Sequence, residues 1–152
     1  MPVITMARPV YFSGSISGGR NDAVLYKRIV DRLQQEGHRV YAGSVADISL
    51  PEQGEAEPDE TIYKRDLGWL AGVAREGGVL VADVSMPSLG VGYEIATARY
   101  LHRMPVICLY RPGHTRRCSA MIAGDGKIRV LEYTEADVTA MLSQLTEILA
   151  AL

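Results

Sequence analysis

Hydrophobic and polar positions along this 152-residue chain follow two alternating patterns. Short runs of β-branched and aromatic residues predict strands, and longer segments in which apolar residues recur every three or four positions predict helices. The predicted strands are 9–15, 38–45, 77–85, 104–110 and 129–134, and the predicted helices are 22–36, 59–75, 93–103 and 135–152, with one further helical turn at 119–122. Because helices separate the strands, the pattern predicts an α/β fold, a doubly wound five-stranded parallel sheet with flanking helices in one domain.

The first predicted helix has a clear apolar face. Leu25, Ile29, Val30 and Leu33 have the spacing of a stripe along one side of a helix. Asp22 precedes the stripe and is the expected N-cap, since an Asp side chain accepts hydrogen bonds from the first free N–H groups of a helix.

Composition and charge narrow the class of protein. Hydrophobic residues make up 47% of the chain and charged residues 22%, which is ordinary for a globular domain. A net charge of −2 gives no reason to expect nucleic acid or a membrane surface as a partner. The two cysteines are too few for a disulfide framework, and the N-terminus lacks the features of a signal peptide. We therefore expect a cytoplasmic protein with a flexible lead-in at 1–8 and one domain at 9–152.

Two glycine-rich segments follow predicted strands, "GSISGGR" and "PSLGVGYE". In open parallel sheets, ligands bind beyond the carboxyl ends of the strands, where both segments are expected to lie. The first segment offers backbone N–H groups to an anion, and Ser15, Ser17 and Arg20 favour that interpretation over a turn that merely requires glycine.

Glu94 is the only charged residue in the second segment. If the helix begins at Tyr93, the Glu94 carboxylate lies in the first turn, so we expect a low pKa and a group available as a nucleophile. The alternative is a carboxylate that only stabilises the helix start.

Asp66 is a candidate partner for Glu94. It flanks the apolar stripe of the second predicted helix, next to Leu67 and Leu70, and is expected to face the strand ends rather than open water. Two such carboxylates are what glycosyl transfer requires, one beneath the anomeric carbon and one that handles the proton of the leaving group. Tyr11 is expected to end the first strand, beside the glycine turn, where its hydroxyl would reach a carboxylate of the site. The alternative for Asp66 is an ordinary solvated helix residue.

Metal and cofactor chemistry are not expected. The three His and two Cys show no metal-ligand spacing, and the glycine-rich segments match neither a Walker loop nor a dinucleotide fingerprint.

The motifs "VYFSGSISGGRND", "DLGWL", "PSLGVGYEIATA" and "CSAMIAG" occur in this order, over about Pro9 to Gly124. Together they resemble the 2'-deoxynucleoside 5'-phosphate N-hydrolases, in the wider nucleoside 2-deoxyribosyltransferase superfamily. The resemblance implies a Rossmann-like homodimer with a shared active site and a deoxyribosyltransferase-like catalytic domain at 9–152. Its implied reaction hydrolyses the N-glycosidic bond of 2'-deoxynucleoside 5'-monophosphates to free base and 2-deoxyribose 5-phosphate.

The resemblance also implies roles for individual residues. Glu94 corresponds to the nucleophile that forms a covalent deoxyribosyl intermediate, Asp66 to the general acid, and Tyr11 to the residue that orients the nucleophile. The implied substrate-binding positions are Ser15, Ile16, Ser17, Gly18, Arg20, Ser88, Gly90, Ser119 and Met121. Of these, Ser119 corresponds to a serine that the neighbouring subunit supplies.

Two departures from the family pattern concern substrate preference. Ser17 replaces a basic residue, and the segment 71–78 is longer than expected by about one helical turn. Three alternatives stay open at this point: a nucleoside 2-deoxyribosyltransferase, a ribonucleotide phosphoribohydrolase, and a nucleotide-sensing module without catalysis.

Overall fold

The structure is a computed structural model that describes residues 7–16, 22–47, 49, 55–113 and 115–152. Residues 1–6 of the expected lead-in lie outside the described residues. At its end, the backbone N–H of Arg8 donates to Nδ1 of His38 at 3.0 Å, and the Arg8 side chain contacts the carbonyl of Leu152.

Five strands and five helices alternate along the described chain. In order they are β1 (Pro9–Ser13), α1 (Ala23–Gln35), β2 (Arg39–Tyr41), α2 (Asp59–Arg75), β3 (Val79–Asp83), α3 (Leu89–Ala96), β4 (Val106–Tyr110), α4 (Ala120–Ala123), β5 (Ile128–Glu132) and α5 (Val138–Ala151). A π-helical turn, Thr97–Leu101, continues α3, and a 3₁₀ turn, Glu135–Asp137, precedes α5.

The sheet is entirely parallel, in the order β2-β1-β3-β4-β5. Chain order reverses at β1, which pairs with β2 on one side and β3 on the other, and this is the switch point where open α/β sheets bind ligands. The expected α/β fold with a five-stranded, Rossmann-like parallel sheet is confirmed.

Two apolar clusters cover the two faces of the sheet because side chains alternate along each strand. On one face Phe12 packs with residues of α1 and α5, and on the other Tyr11 packs with residues of α2 and α3. Ser13 follows Tyr11 by two positions and therefore shares its face. The strand alternation thus directs Tyr11 and Ser13 toward α2 and α3.

Several boundaries differ from the sequence prediction. Helix α3 begins at Leu89, one turn before the expected Tyr93, because the Ser88 side chain caps it by accepting from the backbone N–H of Val91 at 3.3 Å. Strand β2 ends at Tyr41 rather than at residue 45, and Gly43, with φ of 52°, turns the chain away from the sheet.

Helix α1 also departs from the prediction. Asp22 occupies its N-cap position, but the side chain makes no cap hydrogen bond, so the predicted cap is wrong. Leu25 is only half-buried, whereas Tyr26 is buried and takes the place predicted for Leu25 on the inner face. The long segment 71–78 extends α2 to Arg75 and then forms the turn into β3.

Candidate active site

A cavity of about 490 Å³ opens at the carboxyl ends of β1 and β3, between α2 and α3. Its lining contains seven of the residues singled out in the sequence: Tyr11, Ser15, Ile16, Asp66, Ser88, Gly90 and Glu94. We call it the polar cavity. Its volume lies within the ordinary range for small-molecule sites.

Glu94 projects from the second turn of α3 into the polar cavity. Ser13 Oγ lies 3.4 Å from its Oε1 and donates to it, while Oε2 is buried and has no hydrogen-bond partner in the part of the chain that the structure describes. Burial raises the pKa of Glu94 to about 7, the negative charge of Asp66 adds to the rise, and the hydroxyls of Tyr11 and Ser13 oppose it.

The expectation of a low pKa for Glu94 is therefore wrong. It assumed a carboxylate in the first turn of the helix, where the helix dipole favours the charged form. Because α3 begins at Leu89, Glu94 lies beyond that turn and is instead buried against the sheet. Desolvation outweighs the dipole there.

Tyr11 lies in the middle of β1, not at its end, with β2 and β3 on its two sides. Its side chain is buried, and burial followed by the negative charge of Glu94 raises its pKa far above the ordinary range. The phenol therefore stays protonated, and its interaction with Glu94 favours the ionised form of that carboxylate.

Asp66 lies on α2 and faces the polar cavity from the side opposite α3. Its Oδ1 accepts from Arg65 Nε at 2.8 Å. Burial raises the pKa of the Asp66 carboxyl, Arg65 counteracts that rise, and the charges of Glu55 and Glu57 add to it. Asp66 has a cationic partner, whereas Glu94 has none among the described residues.

Arg65 connects the carboxylates on this side of the cavity, and sequence reasoning missed it. Besides Asp66, it contacts Glu55 at 2.7 Å and Glu57 at 3.3 Å, and its guanidinium lies 5.2 Å from the ring centroid of Trp69. The side chains of adjacent residues on a helix normally point in different directions. The contacts with Glu55, Glu57 and Trp69 hold the Arg65 side chain in a position from which it reaches Asp66. The acidic run "EAEPDE" before "YKRD" was the available signal.

Ser15, Ile16, Ser88 and Gly90 form a further part of the lining of the polar cavity. Ser15 is buried, and Ser88 and Gly90 stand at the start of α3, whose free N–H groups favour an anion. Three further residues that the resemblance implies for substrate binding, Ser17, Gly18 and Arg20, lie outside the described residues.

Ser119 and Met121 do not line the polar cavity of their own chain. They line a second depression of about 490 Å³, together with residues of α3, the π-helical turn and α4. We call it the apolar groove. Its exposed rim includes Tyr100 and Met121, whose exposed fractions are 75% and 84%. The two depressions share the segment Pro87–Leu89 and Val91.

The geometry favours chemistry by paired carboxylates. The described ranges contain no group of three or more His, Cys, Asp or Glu residues placed to hold a metal ion. Glu94 and Asp66 face one cavity from two helices and differ in burial and partners, which suits one carboxylate to attack carbon and the other to transfer a proton. A pair of carboxylates facing one cavity at the switch point of a parallel sheet has the composition that glycosyl hydrolysis requires.

Comparison with known proteins specifies the family. No profile of a protein family matches the chain. It is similar to the 5-hydroxymethyl-dUMP N-hydrolases of Mus musculus, 48% identical over 143 residues (91% of this chain, 79% of the relative), and Rattus norvegicus, 46% over 143 residues (91% and 84%). The corresponding Homo sapiens protein is 43% identical over 143 residues (91% and 79%). The chain belongs to the family of 2'-deoxynucleoside 5'-phosphate N-hydrolases.

This membership confirms the expected class of reaction. Members of the family hydrolyse N-glycosidic bonds, so the chain is an N-glycosidase. No helix within the described residues is long and apolar enough to cross a membrane.

Proposed function

We propose that this enzyme hydrolyses 2'-deoxynucleoside 5'-monophosphates to free base and 2-deoxyribose 5-phosphate, through a covalent intermediate on Glu94. The observation that carries the proposal is the buried carboxylate of Glu94 in a nucleotide-sized cavity, opposite Asp66. The names of the mammalian relatives make 5-hydroxymethyl-dUMP the first substrate to test.

The first step replaces one bond to the sugar by another. Glu94 Oε2 attacks C1' as the bond from C1' to the base nitrogen breaks, and Asp66 gives its proton to the departing base. The transition state carries positive charge on the sugar ring, which the ionised Glu94 stabilises directly beneath it. The products of this step are free base and a deoxyribosyl ester of Glu94.

Water completes the reaction in the second step. The ionised Asp66 now accepts a proton from a water molecule, whose oxygen attacks C1' and releases the Glu94 carboxylate. Asp66 ends the cycle protonated, and the overall change is hydrolysis.

Tyr11 and Ser13 orient Glu94 for this chemistry. Both side chains point to the α2–α3 face of the sheet, and both hydroxyls favour the ionised form of the carboxylate. Donation from Ser13 Oγ to Oε1 leaves Oε2, the oxygen without a described partner, as the attacking atom.

Burial raises the pKa of both carboxyls, to about 7 for Glu94, and Arg65 opposes the rise at Asp66, whereas Glu94 has no cationic partner among the described residues. We infer that Glu94 is the carboxyl that keeps its proton in the free enzyme. Catalysis needs the reverse, an ionised Glu94 and a protonated Asp66. The reactive form is therefore a minor one in the empty enzyme, and the positive charge that develops on the sugar favours it during reaction.

The 5'-phosphate binds at the end of the cavity formed by Ser15, Ile16, Ser88 and Gly90; family resemblance assigns the phosphate to Ser15, Ser88 and Gly90, and substrate binding more generally to Ser17, Gly18 and Arg20. Six residues of helix separate Ser88 from Glu94, a rise of about 9 Å. This separation supports a substrate that places its phosphate at the start of α3 and its anomeric carbon beside Glu94. Phosphate binding then positions the sugar without taking part in bond cleavage.

We also propose that the enzyme is a homodimer with shared active sites. The apolar groove has an exposed rim of large side chains, Leu89, Tyr100 and Met121. A second copy seated there covers this surface, and Ser119 and Met121 then belong to the active site of that copy. The shared segment Pro87–Leu89 supports the proposal because it adjoins both depressions.

We further propose the extent of the catalytic domain and the location of the enzyme in the cell. Residues 9–152 form the catalytic domain, and removal of residues 1–6 should leave activity unchanged. The free thiols of Cys108 and Cys118 support a reducing, cytoplasmic location, which subcellular fractionation tests.

End-point chromatography tests the proposed reaction. The protein is incubated with 5-hydroxymethyl-dUMP, dGMP, dCMP, GMP and the unphosphorylated 5-hydroxymethyl-deoxyuridine. Release of base from the deoxynucleotides alone is the expected result. Equal release from GMP indicates a phosphoribohydrolase, and exchange of an added second base without net hydrolysis indicates a transferase. No reaction with any nucleotide contradicts the proposal.

A further inference from the structure

Helix α1 begins without the cap that its sequence offers. The carboxylate of Asp22 stands at the N-cap position but makes no cap hydrogen bond. Its Oδ1 instead accepts from Nη2 of Arg111 at 2.6 Å, a residue 89 positions further along the chain. An Asp at this position usually satisfies the first N–H groups of its own helix. Here the side chain is used for a long-range ion pair.

Arg111 belongs to a buried polar cluster at the carboxyl ends of β3 and β4. Its backbone N–H donates to Ser85 Oγ at 2.8 Å, and its guanidinium lies 6.0 Å from the ring centroid of Tyr133. Asp83, fully buried, accepts from the backbone N–H of Ser85 at 3.0 Å and from the Tyr133 hydroxyl at 2.7 Å. Because these contacts fix Arg111, they also fix the position of Asp22.

A path of packed residues leads from this ion pair to the polar cavity. Tyr26, one turn into α1, donates its backbone N–H to the Asp22 carbonyl at 2.8 Å. Its ring lies directly beneath Gly14, where an added Cβ would lie 2.9 Å from ring atoms. Gly14, Ser15 and Ile16 line the polar cavity. The position of the start of α1 therefore determines where this backbone lies.

We propose that Arg111 and Asp22 are positioning residues for the phosphate end of the polar cavity. Arg111 does not line that cavity, so it acts through Asp22, Tyr26 and Gly14 rather than by touching substrate. The inference rests on the proposed function, since it assigns the phosphate of the substrate to this end. Loss of the ion pair should loosen phosphate binding and leave the carboxylates on α2 and α3 in place.

The test uses Asp22→Asn and Arg111→Lys in the full-length protein. Asn keeps the size of Asp22 without its charge, and Lys keeps the charge of Arg111 without the planar fork. With 5-hydroxymethyl-dUMP as substrate, we expect KM to rise about tenfold, with kcat at saturation changed less than about twofold. The inhibition constant of inorganic phosphate should rise in parallel. A folded Asp22→Asn protein with unchanged KM and unchanged phosphate inhibition overturns the inference, as does a fall in kcat at unchanged KM.

Arg39→Gln is the matched control, because Arg39 forms an exposed ion pair with Glu76 away from the cavity. It should change none of these constants. Thermal unfolding with and without phosphate separates this inference from the proposed function, since bound phosphate raises the Tm of the folded protein. If no nucleotide is hydrolysed, the proposed function fails, while the inference still predicts a phosphate-induced rise in Tm that Asp22→Asn reduces. An equal rise in wild type and Asp22→Asn contradicts the inference.

Discussion

The polar cavity and the apolar groove have the same volume and share the segment Pro87–Leu89, yet their linings differ. Carboxylates, hydroxyls and Arg65 line the polar cavity, and several of these groups are buried or paired. Large exposed apolar side chains form the rim of the groove. Partly desolvated charge indicates chemistry, whereas exposed apolar area indicates a surface that another molecule covers. The more hydrophobic of two equally large depressions is thus not automatically the active site.

Glu94→Gln tests the polar cavity most severely. The amide keeps the shape of Glu94 but cannot form the ester, so we expect kcat to fall by about 10³-fold or more. The measurement is release of base from 5-hydroxymethyl-dUMP under saturation. Glu60→Gln, on the exposed surface of α2, is the matched control and should keep full activity. A Glu94→Gln protein with near-normal kcat removes Glu94 as the nucleophile.

The same substitution should stabilise the protein above neutral pH. Burial raises the pKa of Glu94 from 4.5 to about 7, so the folded state binds a proton that the unfolded state has lost, and stability falls as pH rises through this window. Glu94→Gln should therefore add about 3 kcal/mol to the free energy of unfolding above about pH 8, with the gain vanishing below about pH 4.

Denaturant titrations of both proteins across this range measure the difference. Glu60→Gln, which replaces an exposed carboxylate, is the control in the same titrations. A stability gain for Glu94→Gln that is the same at every pH contradicts the raised pKa.

Tyr100→Glu tests the apolar groove. A charge at this exposed position, on the rim of the groove, should prevent a second copy from binding, and activity should fall about tenfold or more because Ser119 no longer reaches the neighbouring site. Analytical ultracentrifugation should find a monomer. Val24→Glu is the control, since Val24 is also exposed but lies on α1 outside the groove. A monomeric Tyr100→Glu protein with full activity contradicts the proposal that the apolar groove of one copy contributes to the active site of the other.

The pH profile of kcat/KM tests which of the two carboxyls, Glu94 or Asp66, carries the proton in the free enzyme. If Glu94 must be ionised and Asp66 protonated, and Glu94 has the higher pKa, then activity falls about tenfold per pH unit above about pH 7. Asp66→Asn removes the acid requirement, so its lower activity should instead rise through about pH 7 and level off. A wild-type profile that rises through neutral pH places the proton on Asp66 rather than on Glu94.

Ser119→Ala should have the smallest effect. If Ser119 contacts the 5'-phosphate of the substrate bound to the neighbouring copy, KM should rise by about threefold to tenfold, with kcat and the dimer preserved. Steady-state kinetics and sedimentation measure both properties. A lower kcat with unchanged KM contradicts a role in phosphate binding.

The fold and the approximate location of the site were predictable, because strand and helix periods are local properties of the sequence. Glu94 and Asp66 also lie in one cavity, on the helices that follow β3 and β2, the two strands that flank β1. The pKa of Glu94 was not predictable, since it depends on the helix start at Leu89 and on burial against Tyr11. A one-turn error at a helix boundary reversed the direction of that prediction.

Long-range ion pairs were equally hidden from the sequence. The sequence alone does not identify the ion-pair partners of Arg65 and Arg111. Only the tertiary structure brings Arg65 to the acidic residues before α2, and Arg111 to Asp22. The local sequence strongly predicted that the Asp22 side chain caps α1, but the structure shows no cap hydrogen bond from it. A buried guanidinium outcompeted the backbone for its carboxylate.

If the proposed dimer forms, the segment Pro87–Leu89, which borders both depressions, couples subunit association to substrate binding, and that coupling is thermodynamically reciprocal. If a second copy improves substrate affinity by some factor, substrate must tighten the dimer by the same factor. At low protein concentration, nucleotide then promotes formation of the dimer. The rate per enzyme molecule rises with enzyme concentration until all of the enzyme is dimeric. Dilution alone switches such an enzyme off, without any further regulator.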